Sequence, residues 1–234
     1  MKEITQIKSV SLWIFLVPLI AVNVCLFISV NYHFFENTFL SVDQIGRSQF
    51  TFPYLDGSLS ISRASRTFPQ YLIFKPGMVI TSILLFFYWH KNNILINNFK
   101  NTISKKNNFM IFGILSALFL SVHSIFLGLE TDINILKFLK RVVLLTFIIF
   151  ELIAQGLLIR NFYKMKNQFK KFFYLKILKI KIFLIFFLIF VALISVPLLM
   201  INGNVHFKHG LEWNFFIGVI LYYLLTSLFW KKIS

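Results

Sequence analysis

The chain has 234 residues, 58% of them hydrophobic and only 14% charged, with a formal net charge of +16. That balance excludes a soluble globular protein and points to an integral membrane protein. The basic residues sit in short segments between apolar runs, so membrane topology accounts for them without a nucleic-acid partner.

An apolar stretch of about 20 residues crosses a bilayer as a helix. The first such stretch is 10–31. Lys2 and Lys8 precede it, as in a signal peptide, but the run is long for a signal and no small-x-small site follows. Val22-Asn23-Val24-Cys25 lacks the small residue that a lipoprotein box carries before its cysteine. A retained span is therefore expected. Cys25 is the chain's one cysteine, which excludes an intrachain disulfide and argues against a cysteine-based metal site.

A polar segment follows the first span, and from Phe52 to Phe74 it carries two prolines and two arginines. Such a segment is ordered in a membrane protein when it folds onto the bundle or binds something. The remaining spans are expected at 71–89, interrupted early by Lys75 and Pro76, then 109–129, 142–159, 182–201 and 213–230. The expected fold is an all-α integral membrane protein, a bundle of six transmembrane helices with a structured first outer loop. Residues 1–234 form one membrane domain on this reading.

With the N-terminus inside, basic residues concentrate on the cytoplasmic side, in segments 2–8, 91–106, 160–181 and 231–232. Both termini are then cytoplasmic, and a bacterial inner membrane is the expected location. Lys137, Lys140 and Arg141 count against this orientation. The segment 160–181 mixes lysines with aromatics. Either it attracts anionic headgroups or it simply fixes topology.

This orientation gathers the chemically capable side chains on the non-cytoplasmic face. Asp56, His123, His206, His209 and Glu212 are the candidate catalytic residues, with Glu130 and Asp132 close to His123 in sequence. On a helix, His206, His209 and Glu212 share a broad face. Two imidazoles and a carboxylate are ligands that zinc takes at hydrolytic centres, so these three are also the candidate site for a divalent metal. The alternative is interfacial histidines, with Glu212 satisfying a backbone group or an arginine. His123 is either an acid/base group or a histidine bonded to a neighbouring helix.

Arginine is scarce, yet Arg47, Arg63 and Arg66 all fall in the first loop. Guanidinium grips phosphate bidentately. Ser58, Arg63 and Arg66 are therefore candidates for binding a lipid phosphate. In the competing reading the arginines pair with Asp56 or Glu212. Glu151 lies near mid-membrane with Gln155 one turn later, a buried polar pair that suggests function by default.

Phe52-Pro53-Tyr54, Asp56-Gly57-Ser58, Pro69-Gln70, Ile73-Phe74 and Glu212-Trp213 together resemble the Frag/DRAM/Sfk family, which includes the post-GPI-attachment Golgi factor. Gln70 stands where that family carries a glutamate. The resemblance implies a six-span bundle with both ends cytosolic, a long first luminal loop, and lipid handling such as GPI lipid remodelling. The expected function is handling of a phosphate-containing lipid at the non-cytoplasmic leaflet, with membrane lipids as partners. If the protein is an enzyme, it is a membrane-embedded lipid hydrolase or acyl-remodelling enzyme. Gly-x-Ser-x-Gly does not occur, so a serine hydrolase lacks support. Alternatives are a non-enzymatic membrane organiser or assembly partner, or a small transporter built around Glu151. The loop from Asp56 to Arg66 is expected to cover the outer ends of the third and sixth spans.

Overall fold

The computed structural model of the chain describes residues 2–100, 107–128, 134–169, 171–200 and 203–231. In chain order the helices are α1 (Lys2–Val30), α2 (Pro53–Asp56), α3 (Ile61–Ser65), α4 (Tyr71–Lys100), α5 (Asn108–Phe126), α6 (Asn134–Lys164), α7 (Lys166–Phe169), α8 (Leu175–Met200) and α9 (Val205–Phe229). Six of these, α1, α4, α5, α6, α8 and α9, are long and apolar enough to cross a membrane. The protein is thus a multi-pass all-α membrane protein. Among the described residues there is no sheet, only a single antiparallel bridge between Phe173 and Trp230.

The helical period is written along α1. Ile4, Ile7, Ser11, Ile14, Pro18, Ala21, Cys25 and Ile28 are buried, at alternating steps of three and four. Such spacing puts one face of a helix against its neighbours. The other face exposes Trp13, Ile20 and Phe27, side chains suited to lipid contact. Helices solve the membrane problem because each one satisfies its own backbone polar groups.

The spans form a closed ring in chain order. Helix α1 packs on α4, α4 on α5, α5 on α6, α6 on α8, α8 on α9, and α9 returns to α1. Trp89, Trp213, Tyr222 and Tyr223 lie in the shared core. The indole of Trp89 lies flat against Gly113 of α5, where any side chain would overlap the ring. A small residue at a helix crossing allows that close approach.

The helices outrun the apolar stretches. Helix α4 continues past Trp89 to Lys100 and buries Asn92, Asn93 and Asn97. Asn107 donates from Nδ2 to the side-chain oxygens of Asn93 at 2.8 Å and Asn97 at 3.0 Å. Helix α8 begins at Leu175 and so contains Lys181. Helix α9 begins at Val205, which makes His206, His209 and Glu212 helical instead of a loop.

The two ends of the bundle differ. One carries residues 31–70, which contain α2 and α3 and form a cap. The opposite end is closed by aromatic rings: Phe173 stacks on Phe229 at 4.5 Å, and Phe162 packs against Phe229 and Trp230. Two backbone bonds seal it, from Tyr174 N–H to the Phe229 carbonyl at 3.0 Å and from Lys231 N–H to the Phe172 carbonyl at 2.9 Å.

Candidate functional site

The cap is built around Asp56. Its carboxylate accepts the N–H of Phe52 at 2.8 Å, the N–H and hydroxyl of Ser58 at 2.8 and 2.7 Å, and the Thr51 hydroxyl at 2.9 Å. Thr51 and Ser58 also meet through their hydroxyls. The Ser58 N–H, ahead of the other donors, holds the Asp56 carboxyl down at about 2. Bonds from donors to a carboxylate favour its charged form. One carboxylate therefore closes the turn between α2 and α3.

Gly57 follows in the left-handed conformation, with φ of 59°. A Cβ there would run into the His206 carbonyl oxygen, so the cap meets the start of α9 backbone to backbone. Three α9 side chains then fasten it. Trp213, fully buried, donates its indole N–H to the Leu59 carbonyl at 2.7 Å. Asn214 donates to the Tyr54 carbonyl at 2.7 Å. His209 donates from Nδ1 to the Gly57 carbonyl at 3.0 Å.

Glu212, half-buried, accepts the Ser62 N–H at 3.4 Å. On the α1 side, the Tyr54 hydroxyl donates to Asn23 at 3.0 Å, and the Ser29 hydroxyl bonds the Gly46 carbonyl. The Tyr54 ring meets Trp213 edge-on at 4.8 Å. The cap thus rests chiefly on α1 and α9. Next to the third span, Gly128, just after α5, abuts the Arg66 carbonyl.

Asp56, Ser58, His209 and Glu212 lie within the cap and its seam with α9, each bonded as described. His206 is exposed beside them. His123 lies elsewhere: on α5, with its ring reaching the Lys140 backbone of α6 and its Nδ1 buried without a hydrogen-bond partner. Glu130 and Asp132 lie outside the described residues. Among the described residues no group of three or more His, Cys, Asp or Glu side chains is placed to hold a metal ion.

Arg63 and Arg66 are exposed, and Arg47 pairs with Glu36 at 3.3 Å. The cap also presents large apolar side chains: Phe39, Phe50 and Leu55 are 89%, 90% and 86% exposed. No match to this chain was found among protein-family models, curated proteins or solved structures.

A second polar set lies in the core. Glu151, fully buried, accepts from Ser116 at 2.6 Å, from Gln155 Nε2 at 2.9 Å and from the Tyr223 hydroxyl. Lys181 is also fully buried. Its Nζ donates to Thr226 at 2.7 Å and lies over the Tyr222 ring, 3.9 Å from the centroid. Composition and span limits assign Lys181 to a basic loop. The signal that would have moved it is the helical stripe Leu178, Lys181, Ile185, Leu188, all four of them buried. Tyr88, Tyr222 and Tyr223 carry no distinguishing signal in the sequence for a similar reason. A tyrosine in an aromatic-rich span reads as packing until its neighbours are known.

Proposed function

We propose that this protein binds a phosphate-bearing lipid at the leaflet its cap meets, and that the cap is the lipid-engaging element. The observation that carries this reading is that the cap segment 31–70 exposes both large apolar side chains, Phe39, Phe50 and Leu55, and two guanidinium groups, Arg63 and Arg66. Aromatic and aliphatic side chains enter the boundary between headgroups and acyl chains, while guanidinium groups grip phosphate.

Binding is favoured over hydrolysis here. A hydrolytic centre needs a base free to take a proton from water. The Asp56 carboxylate already closes its own loop, and the His209 imidazole is bonded to the Gly57 carbonyl. The resemblance to the Frag/DRAM/Sfk family supports the lipid reading: two of its matched segments, Phe52-Pro53-Tyr54 and Glu212-Trp213, meet in the seam beneath the cap, where the Tyr54 and Trp213 rings pack. The leaflet is the non-cytoplasmic one, on the argument that the basic segments 91–106 and 160–181 adjoin the opposite end.

The test is lipid analysis of protein purified in mild detergent. Phospholipid should co-purify with the wild-type chain, and a double variant, Arg63→Ala with Arg66→Ala, should retain about tenfold less, since two charge-assisted contacts are lost. Equal lipid in both would overturn the reading. A cap that organises the membrane through packing alone would then be favoured.

A further inference from the structure

The core holds two ionisable side chains that the cap does not use. We propose that Glu151 and Lys181 are the two stations of a proton-transfer path inside the bundle, running from mid-membrane to just inside the aromatic seal opposite the cap. An ionisable side chain deep in a membrane bundle is expensive, and proton relays are a recurrent reason for keeping one.

Hydroxyls line the interior between the stations, and the link from Tyr223 to Thr226 closes when the Tyr88 side chain moves to bond both. Tyr223 bonds directly to Glu151. The Tyr223 ring packs against Tyr88 at 5.0 Å and against Tyr222 at 5.4 Å. The Tyr88 hydroxyl faces Tyr222, Thr226 and Asn92, and it is buried with no hydrogen-bond partner closed. Thr226 accepts from Lys181 and donates to the Tyr222 carbonyl at 2.8 Å. Trp89 Nε1, Asn92 Oδ1 and Gln155 Oε1 are likewise buried and unpartnered in this region. Buried polar atoms are rarely left so, and a run of them beside a carboxyl group marks a polar interior rather than a dry core.

The step balances without a redox partner. An O–H bond of the Glu151 carboxyl breaks as one forms on Tyr223. The proton that Tyr223 held passes through Tyr88 and Thr226, and an N–H bond forms on Lys181. A neutral acid and a neutral amine become a carboxylate and an ammonium, and the net charge of the core stays constant. The structure's bonding pattern suits the charge-separated end of this step. Glu151 accepts from three donors, and the Lys181 nitrogen lies over the faces of Tyr222 and Phe229. Ring faces attract a cation.

Among the described residues, groups from four helices face the stations. Ser116 of α5, Gln155 of α6, Tyr88 and Trp89 of α4 and Tyr223 of α9 face Glu151. Tyr222, Thr226 and Phe229 of α9 face Lys181.

The experiment is infrared spectroscopy of the full chain in lipid vesicles at neutral pH, following the carboxylic-acid carbonyl band. Lys181→Met removes the far station, so Glu151 should keep its proton. The acid band should rise at least about threefold over wild type and disappear when Glu151→Gln is added. Lys181→Arg, which supplies a permanent cation, should lower the band below wild type. Tyr223→Phe keeps the ring and removes the hydroxyl, and it should slow re-equilibration after a pH jump by about tenfold or more. The proposal is overturned if the band is the same in wild type, Lys181→Met and Lys181→Arg, or if Tyr223→Phe re-equilibrates at the wild-type rate. None of these readouts involves bound lipid, so this test stands apart from the proposed function of the cap.

Discussion

Trp213 and Leu59 join the membrane bundle to its cap: the buried indole N–H at the head of α9 donates to the Leu59 carbonyl at 2.7 Å. The same indole packs edge-on against Tyr54. Replacing Trp213 by Phe keeps most of the ring packing but strands a buried carbonyl, which costs about 1–3 kcal/mol. Trp213→Ala also leaves a cavity, at about 3–5 kcal/mol. Thermal unfolding should rank the variants in that order. Limited proteolysis should nick residues 31–70 more readily in both. Equal resistance in wild type and Trp213→Ala would show that the indole is not the anchor.

Asp56 makes the cap's order depend on pH in one direction. Its carboxyl is depressed from 3.8 to about 2, first by the Ser58 N–H and then by its other donors. A depressed acid contributes stability that is complete above its unfolded value and lost as pH falls through its folded value. Protease sensitivity of the cap should therefore be flat from neutral pH down to about 4 and rise between about 4 and 2. Asp56→Ala should show the raised sensitivity at neutral pH, because the donors of Phe52 and Ser58 lose their common acceptor. An Asp56→Ala cap as resistant as wild type would remove this residue from the account.

Gly57 and Gly203 separate two effects of one substitution. Both have positive φ, 59° and 94°. A Cβ at Gly57 meets the His206 carbonyl, whereas at Gly203 nothing lies within 4 Å. Gly203→Ala should cost only backbone strain, about 1–3 kcal/mol. Gly57→Ala adds a backbone overlap that no side-chain rotation relieves, so its loss of thermal stability should exceed that of Gly203→Ala. Equal losses would mean that the cap does not press on α9 at this point.

Much of the fold was legible because lipid simplifies the code. Apolar length marks a span, and the 3-and-4 rhythm of α1 marks its buried face. The helix ends were not legible from apolarity. Asn92, Asn93 and Asn97 look like loop residues, yet they continue α4 because each finds a bond inside the bundle or to Asn107. His206, His209 and Glu212 look like a loop ligand set, yet α9 turns them into fasteners of the cap. The polar core was half visible. Glu151 announces itself by charge in an apolar run, while Lys181 hides in a basic stretch where one lysine in a buried stripe resembles its exposed neighbours Lys176 and Lys179.

Orientation has a direct chemical test, because Cys25 is buried and is the chain's one cysteine. In a Cys25→Ser background, a cysteine at Phe50 reports the cap and one at Lys164 reports the opposite end, both being exposed positions. A membrane-impermeant thiol reagent applied to intact cells should label Phe50→Cys and spare Lys164→Cys until the membrane is broken. The reverse pattern would invert the topology and move the cap to the cytoplasmic leaflet.

Lys181 offers a final measurement, in which stability and function are expected to part. A buried ammonium costs several kcal/mol in desolvation, and one bond to Thr226 with two ring faces offsets only part of this. Replacement of buried charge by an apolar side chain of similar volume is often stabilising, by about 1–4 kcal/mol. Methionine matches the length and flexibility of the lysine stem. Lys181→Met should therefore unfold at a higher temperature than wild type. A lysine kept only to hold helices together would give the opposite result, with Lys181→Met melting lower as Thr226 loses its donor. Thermal unfolding in the same vesicles used for spectroscopy distinguishes these outcomes. A rise in melting temperature means that the lysine persists at a cost to the fold, as expected of a residue retained for proton transfer rather than for packing.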